Sequence, residues 1–237
     1  SNFEFHLSYQ DLNNFPNPAS LDAKIFENKT FSYHLPDYLN NYQLFDPLSK
    51  DKLIKKQSLK NLGNVLKFSE KLSDNKQIFV SSLSQNDYKD KHEYYYNLKL
   101  FIDKLATEHN ILFLPQWLPK KAWYFGGSYD INLFSSHEDI EFLREFDINI
   151  CLDTAHLIMA ANSAEADWRV WFKKLKPLIG HLHLSDSYGT DGEGVEFGHG
   201  ELGDPTSIIN IDKVKVLEVW QGHLDDFAGF KKAVKQL

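Results

Sequence analysis

The chain has 237 residues and is 42% hydrophobic, enough to bury a sizeable core, and α/β barrels of this length often form one domain, so residues 1–237 are expected to be a single domain. Thirty-three Asp and Glu against 26 Lys and Arg give a net charge of -7, which leaves no basic footprint for a phosphate backbone and argues against nucleic acid as a partner. There is no signal-peptide or lipidation pattern and no apolar run near 18 residues, and the lone Cys151 cannot form an internal disulfide; a reducing, cytoplasmic setting without membrane spanning is expected.

Apolar runs and turn signals predict seven strands in chain order, at residues 3–7, 30–35, 77–80, 111–114, 148–152, 179–184 and 214–219. Helix-length patterns lie between most of them. Leu59, Leu62, Val65, Leu66 and Leu72 hold a 3–4 spacing, as do Tyr95, Leu98, Ile102 and Leu105, and such stripes are core faces far more often than cofactor sites. The run from Ser135 to Glu138 reads as a capping box opening a helix, and Pro205 as the start of a short one. Buried strands alternating with helices imply a parallel sheet, and units of this length close most naturally into a (β/α) barrel of the TIM type. A doubly wound open sheet is the alternative, although no Gly-x-Gly-x-x-Gly follows an early strand.

The chemistry concentrates late in the chain. Asp153 and His156 follow the fifth predicted strand, His183 and Asp186 close the sixth, and Glu218 lies between Leu217 and Val219 in the last. A strand–helix–strand unit brings both C-terminal ends to one sheet edge, where carboxylates and imidazoles suit one divalent metal ion of the zinc, manganese or cobalt type. Each residue also has a plainer use. Asp153 can cap its helix, His156 can be a hydrogen-bonded core histidine, and of His181 and His183, which face the same side of their strand, one can be packing and the other a ligand. Glu218 is the hardest to explain as structural, because a carboxylate inside an apolar strand is costly unless paired or metal-bound. His34 can merely finish its strand, and Trp117, Trp123, Tyr124 and Trp220 can be core, although aromatic faces beside strand ends also suit sugar rings. Half of the twelve glycines fall between Gly189 and Gly203, interleaved with Asp191, Glu193, Glu196 and Glu201. Four carboxylates would oppose a phosphate, so this segment fits a hydroxyl-rich or amino-sugar ligand, a loop closing over the metal, or a long solvated connection.

Four motifs point to a family: HLPDYLN at residues 34–40, LDTAH at 152–156, HLHLSD at 181–186 and VLEV at 216–219. They resemble successive strand-end motifs of the xylose-isomerase-like barrels, the superfamily of sugar-phosphate isomerases and epimerases and of family 2 AP endonucleases, and LDTAH is the most specific. The resemblance implies that residues 3–7 are the family's second strand, giving an incomplete barrel of seven parallel strands whose first lies upstream, cut away or in a longer polypeptide; the chain is then expected to be part of a longer polypeptide or of an oligomer. Residues 186–201 resemble a subgroup found beside, or fused to, sialic-acid-synthase-type enzymes of surface-polysaccharide biosynthesis. Family members hold one metal through Glu, Asp, His and Glu, and these positions fall here on Gln116, Asp153, His183 and Glu218. Gln116 departs from the pattern, and a glutamine has no titrating group with which to move a proton.

The resemblance therefore implies a metal-dependent sugar or sugar-phosphate isomerase or epimerase, with Glu218, His156 and Glu193 as catalytic candidates and His34, Trp117, Trp220 and Asp186 as substrate contacts. The alternative is a non-catalytic sugar-binding or scaffolding barrel within a larger biosynthetic protein. An AP endonuclease fits less well, since residues 78–83 lack the histidine expected of a multi-metal site.

Overall fold

The computed structural model describes residues 2–13, 30–72, 75–84, 89–220 and 222–235. The chain forms two compact units, Ser1–Pro115 and Gln116–Leu237.

The first unit runs through β1 (Asn2–His6), α1 (Tyr9–Asn13), β2 (Thr30–His34), the small antiparallel pair β3 (Tyr38–Asn40) and β4 (Gln43–Leu44), α2 (Lys52–Leu72), β5 (Gln77–Ser81), α3 (Lys91–Glu108) and β6 (Ile111–Pro115). Strands β1, β2, β5 and β6 form one parallel sheet in that order. Its core is aromatic, with Tyr33 stacked on Phe79 at 5.1 Å and Phe101 packed edge-on to Phe113 at 5.4 Å. Leu62, Val65 and Leu66 of α2 and Tyr95, Leu98 and Leu105 of α3 are buried, as their spacing predicts. Leu59 departs from its stripe and is 40% exposed, lining a groove with Leu100 and Phe101.

The second unit runs through β7 (Lys121–Tyr124), β8 (Gly127–Asp130), α4 (His137–Glu145), β9 (Ile150–Asp153), α5 (Thr154–Ser163), α6 (Trp168–Leu175), β10 (Ile179–Leu184), β11 (Asp186–Tyr188), β12 (Gly192–Val195), α7 (Thr206–Ile209), β13 (Lys215–Leu217) and α8 (Leu224–Val234). Here β9, β10 and β13 form a parallel sheet with β10 in the middle. Together the units hold the seven parallel strands expected, among the described residues. Strand β9 starts two residues late, because the Ile148 amide donates to the Leu143 carbonyl at 2.9 Å and so closes α4. The capping box sits one residue later than expected: Ser136 caps α4 and Asp139 reciprocates. Pro205 does precede a short helix, α7.

Three antiparallel hairpins, β3–β4, β7–β8 and β11–β12, lie outside the strands that the sequence pattern predicts. The turn of β7–β8 puts both Phe125 and Gly126 at positive φ, the backbone that a two-residue loop needs to match the twist of its strands. Among the described residues no helix is long and apolar enough to cross a membrane.

Candidate metal centre

Parallel register places neighbouring residues on the same face of a sheet. His183 of β10 is paired with Asp153 of β9 and with Val216 of β13, and beyond β13 the Glu218 amide still donates to the Leu184 carbonyl at 3.0 Å. Glu218 thus stands just past its strand, not within it. A ligand atom from each of Asp153, His183 and Glu218 lies within 4.8 Å of the others. Asp153 and His183 are buried and the Glu218 side chain is 26% exposed, so the cluster is open on the Glu218 side.

Gln116 completes the group. It pairs in parallel with Cys151, and its Nε2 lies 3.3 Å from Asp153 Oδ2 and 3.2 Å from His183 Nδ1. That same Nδ1 is 2.8 Å from Glu218 Oε2. One imidazole nitrogen cannot accept from an amide and donate to a carboxylate at once. A cation among these atoms removes the conflict, because Asp153, His183 and Glu218 all offer it lone pairs, and a half-turn of the Gln116 carboxamide puts an oxygen where its nitrogen now lies. The donor set, two carboxylates, one imidazole and one neutral amide, therefore fits a divalent ion.

Asp153 serves two ends. Oδ2 faces Gln116, while Oδ1 accepts from the His156 amide at 3.0 Å and caps α5, so capping leaves one oxygen of this side chain turned to the cluster. Burial outweighs its neighbouring histidines and, with Glu218 and Glu193 adding like charge, pushes its carboxyl up to about 6. His156 sits next to it, with Nδ1 3.0 Å from the Trp117 carbonyl and 3.6 Å from Asp153 Oδ2, and Nε2 3.0 Å from Glu193 Oε1. Burial opposes charge on this ring, but the Asp153 and Glu193 carboxylates prevail and raise it to about 10. The ring is an imidazolium that donates on both sides.

Glu193 arrives on the β11–β12 hairpin, and Asp186 fixes that hairpin's base. The fully buried Asp186 carboxylate accepts from the amides of Ser187, Gly198, Gly200 and Leu202 at 2.8–3.0 Å. A Cβ at Gly200 would come within 2.4 Å of that carboxylate. At Gly194, φ is +71 and a Cβ would stand 2.2 Å from Trp220 Cδ1, so only glycine lets the indole lie against the hairpin.

The expected substrate contacts divide. Asp186 is spent on backbone amides, and Trp117 is fully buried edge-on to Trp171 at 6.0 Å, so neither is presented to a ligand. Trp220 is 63% exposed beside the hairpin that holds Glu193. His34 belongs to the first unit, where it is buried, stacks on His6 at 4.4 Å, and has Nδ1 2.9 Å from the Leu35 carbonyl. Sequence reasoning missed the Trp117 carbonyl as the partner of His156, which no side-chain pattern signals. It named Trp123 only among the aromatics that can be core or face a sugar, and missed that the indole donates to Asp191 at 3.2 Å; the Gly126-Gly127 turn between aromatic residues was the available cue.

The sequence matches the xylose isomerase-like TIM barrel family over residues 3–235, and the chain belongs to that family. No curated protein sequence matches it. Among solved structures it is similar to a D-tagatose 3-epimerase-like protein (TM-score 0.65, 16% identity, 99% of this chain and 87% of that one). It is also similar to a probable 3-DHS dehydratase, AsbF, of petrobactin synthesis from Bacillus anthracis (0.63, 16%, 96% and 84%). A third is the TTHB071 protein from Thermus thermophilus, soaked with ZnCl2 (0.60, 19%, 98% and 87%). At these identities the likeness is one of fold.

Proposed function

We propose that this chain is a metal-dependent isomerase or epimerase of a small carbohydrate, with one divalent ion held by Asp153, His183 and Glu218 and by the Gln116 carboxamide oxygen. The observation that carries this reading is the convergence of those groups at the ends of β9, β10 and β13. The soaking of a structural neighbour with ZnCl2 supports zinc as the first ion to try. When bound, the ion would polarise a carbonyl or adjacent hydroxyls of the sugar.

The residues of the chain supply the proton handling. Gln116 cannot accept a proton, so one of the two bases an epimerase of this family uses is missing. Glu193 and His156 are the replacement: a carboxylate 3.0 Å from an imidazolium forms a proton-sharing pair, delivered by the hairpin instead of by a strand. Glu218, the partly exposed member of the cluster, is the other base. With Asp153 holding the backbone of His156, the two proton carriers are tied to one support.

The rest of the reading is coarser. The match over residues 3–235 supports one domain. The acidic charge supports a sugar over nucleic acid, and the likeness of residues 186–201 to the sialic-acid-synthase-associated subgroup supports a cytoplasmic place in surface-polysaccharide synthesis.

The test is to load the protein with zinc, manganese or cobalt and incubate it in deuterated water with hexoses, amino sugars and their phosphates. Deuterium should enter a carbon-bound position of one sugar, Glu218→Gln should abolish the exchange, and Gln116→Glu should raise it. No incorporation across the panel favours a second reading, a sugar-binding or scaffolding domain. One observation stands behind that alternative: the cluster holds Gln116, whose carboxamide has no titrating group with which to move a proton.

A further inference from the structure

Two indoles flank the hairpin that carries Glu193, and neither is needed for the metal or the proton handling. Trp123 is 66% exposed and Trp220 63%, large apolar surfaces left to solvent. Each is nonetheless anchored at one point. The Trp123 Nε1–H donates to Asp191 Oδ1 at 3.2 Å, and the Trp220 amide donates to the Gly194 carbonyl at 2.8 Å with its ring against the glycine Cα. The anchors sit at the two ends of residues 191–194, and between them is Glu193, 3.0 Å from His156. An indole already held in place loses little conformational freedom when a ligand stacks on it.

The charges around these rings choose the ligand. Asp191 is one of the two anchors and Glu193 lies between them, so the segment between the rings presents carboxylates. Lys121, the one cation in residues 121–130, is at the base of its hairpin opposite Asp130. Nothing in this arrangement is built to receive a phosphate.

We propose that Trp123 and Trp220 form a stacking subsite for an additional uncharged sugar ring beside the metal centre, so that the ligand is a neutral oligosaccharide and not a phosphorylated monosaccharide. This rests on the carbohydrate reading above but not on turnover. The sugar at the end of the chain would reach Glu193 and His156 while the next ring covers an indole.

Tryptophan fluorescence quenching tests it with chitotriose, cellotriose, maltotriose and mannotriose, each set against its own monosaccharide and the 6-phosphate of that monosaccharide. At least one trisaccharide should bind roughly tenfold or more tighter than its monosaccharide, a gain equivalent to one step of ~1.4 kcal/mol. Trp123→Ala should remove the gain and leave monosaccharide binding unchanged; Trp123→Tyr, which keeps a ring, should restore most of it. Tighter binding of a 6-phosphate, or a trisaccharide gain that survives Trp123→Ala, overturns the proposal, as does the lack of any gain. Trisaccharide binding that depends on Trp123 in a protein that exchanges no deuterium would uphold the subsite and defeat the enzyme reading; exchange on monosaccharides without a trisaccharide gain would do the reverse.

Discussion

Asp153, His183 and Glu218 are delivered by the register of three parallel strands, whereas Glu193 reaches His156 on a hairpin whose shape depends on one buried carboxylate and a few glycines. The first arrangement is shared with the hydrogen bonds of the sheet itself, so the ladder that joins β9, β10 and β13 also sets these three side chains beside one another. The second rests on a handful of contacts that can be removed singly. On the proposed reading, a glutamine at one strand end and a carboxylate on the hairpin would place part of the proton handling on the adjustable support instead of the rigid one.

The sharpest way to break this contrast is Asp186→Ala. Four backbone amides lose a charged acceptor, those of Ser187 and Leu202 in buried residues, and the expected cost is about 3 kcal/mol of unfolding free energy. Chemical denaturation measures it, and metal binding at the strand ends should survive under native conditions. An unchanged denaturation midpoint would mean that the hairpin is not held as described.

Gly194→Ala comes next. The added methyl meets Trp220 and occupies a left-handed backbone, so a loss of about 2 kcal/mol is expected, with a shift in Trp220 emission as the ring is displaced. The same substitution at Gly63, where a Cβ meets nothing within 4 Å and which lies inside α2, should instead be neutral or mildly stabilising.

A further effect is a pH dependence in the metal-free protein. The folded-state pKa of His156 is raised above its ordinary value of 6.5 to about 10, so its ion pairs contribute stability that is fully present below pH 6.5 and lost as pH rises through 10. The stability difference between the wild type and His156→Gln should therefore shrink across that window. A difference that stays constant from pH 6 to 10 would show that the ring is not charged in the folded protein.

What the sequence made legible follows the same division. Strand-end residues could be read because a two-residue period and a parallel register are properties of local pattern, and these brought Asp153, His183 and Glu218 together. Asp186 escapes that logic. It ends an apolar strand as a ligand would, but its partners, Gly198, Gly200 and Leu202, are backbone amides 12 to 16 residues on, and a backbone donor has no sequence signature. Trp117 misleads in the same way, because an aromatic next to a strand end looks the same in sequence whether it faces the sheet edge or, as here, Trp171. Glu193 stands among the catalytic candidates named from the sequence, but a run of four acidic residues among glycines does not itself select it over Asp191, Glu196 and Glu201; the hairpin does. Asp191 accepts from Trp123, Glu196 pairs with Lys232 and Glu201 accepts from Asn162, which leaves Glu193 to face His156.

The central claim, that the strand ends form a divalent metal site, is tested most directly by metal content. Wild-type protein purified without chelator and equilibrated with zinc or manganese should retain about one ion per chain after desalting, the stoichiometry expected of a single closed set of ligands. Glu218→Ala should retain none while keeping the circular dichroism of the wild type, since this side chain neither caps a helix nor sits in the core. Wild-type protein that keeps no ion, or a Glu218→Ala protein that keeps as much as wild type, would contradict the account.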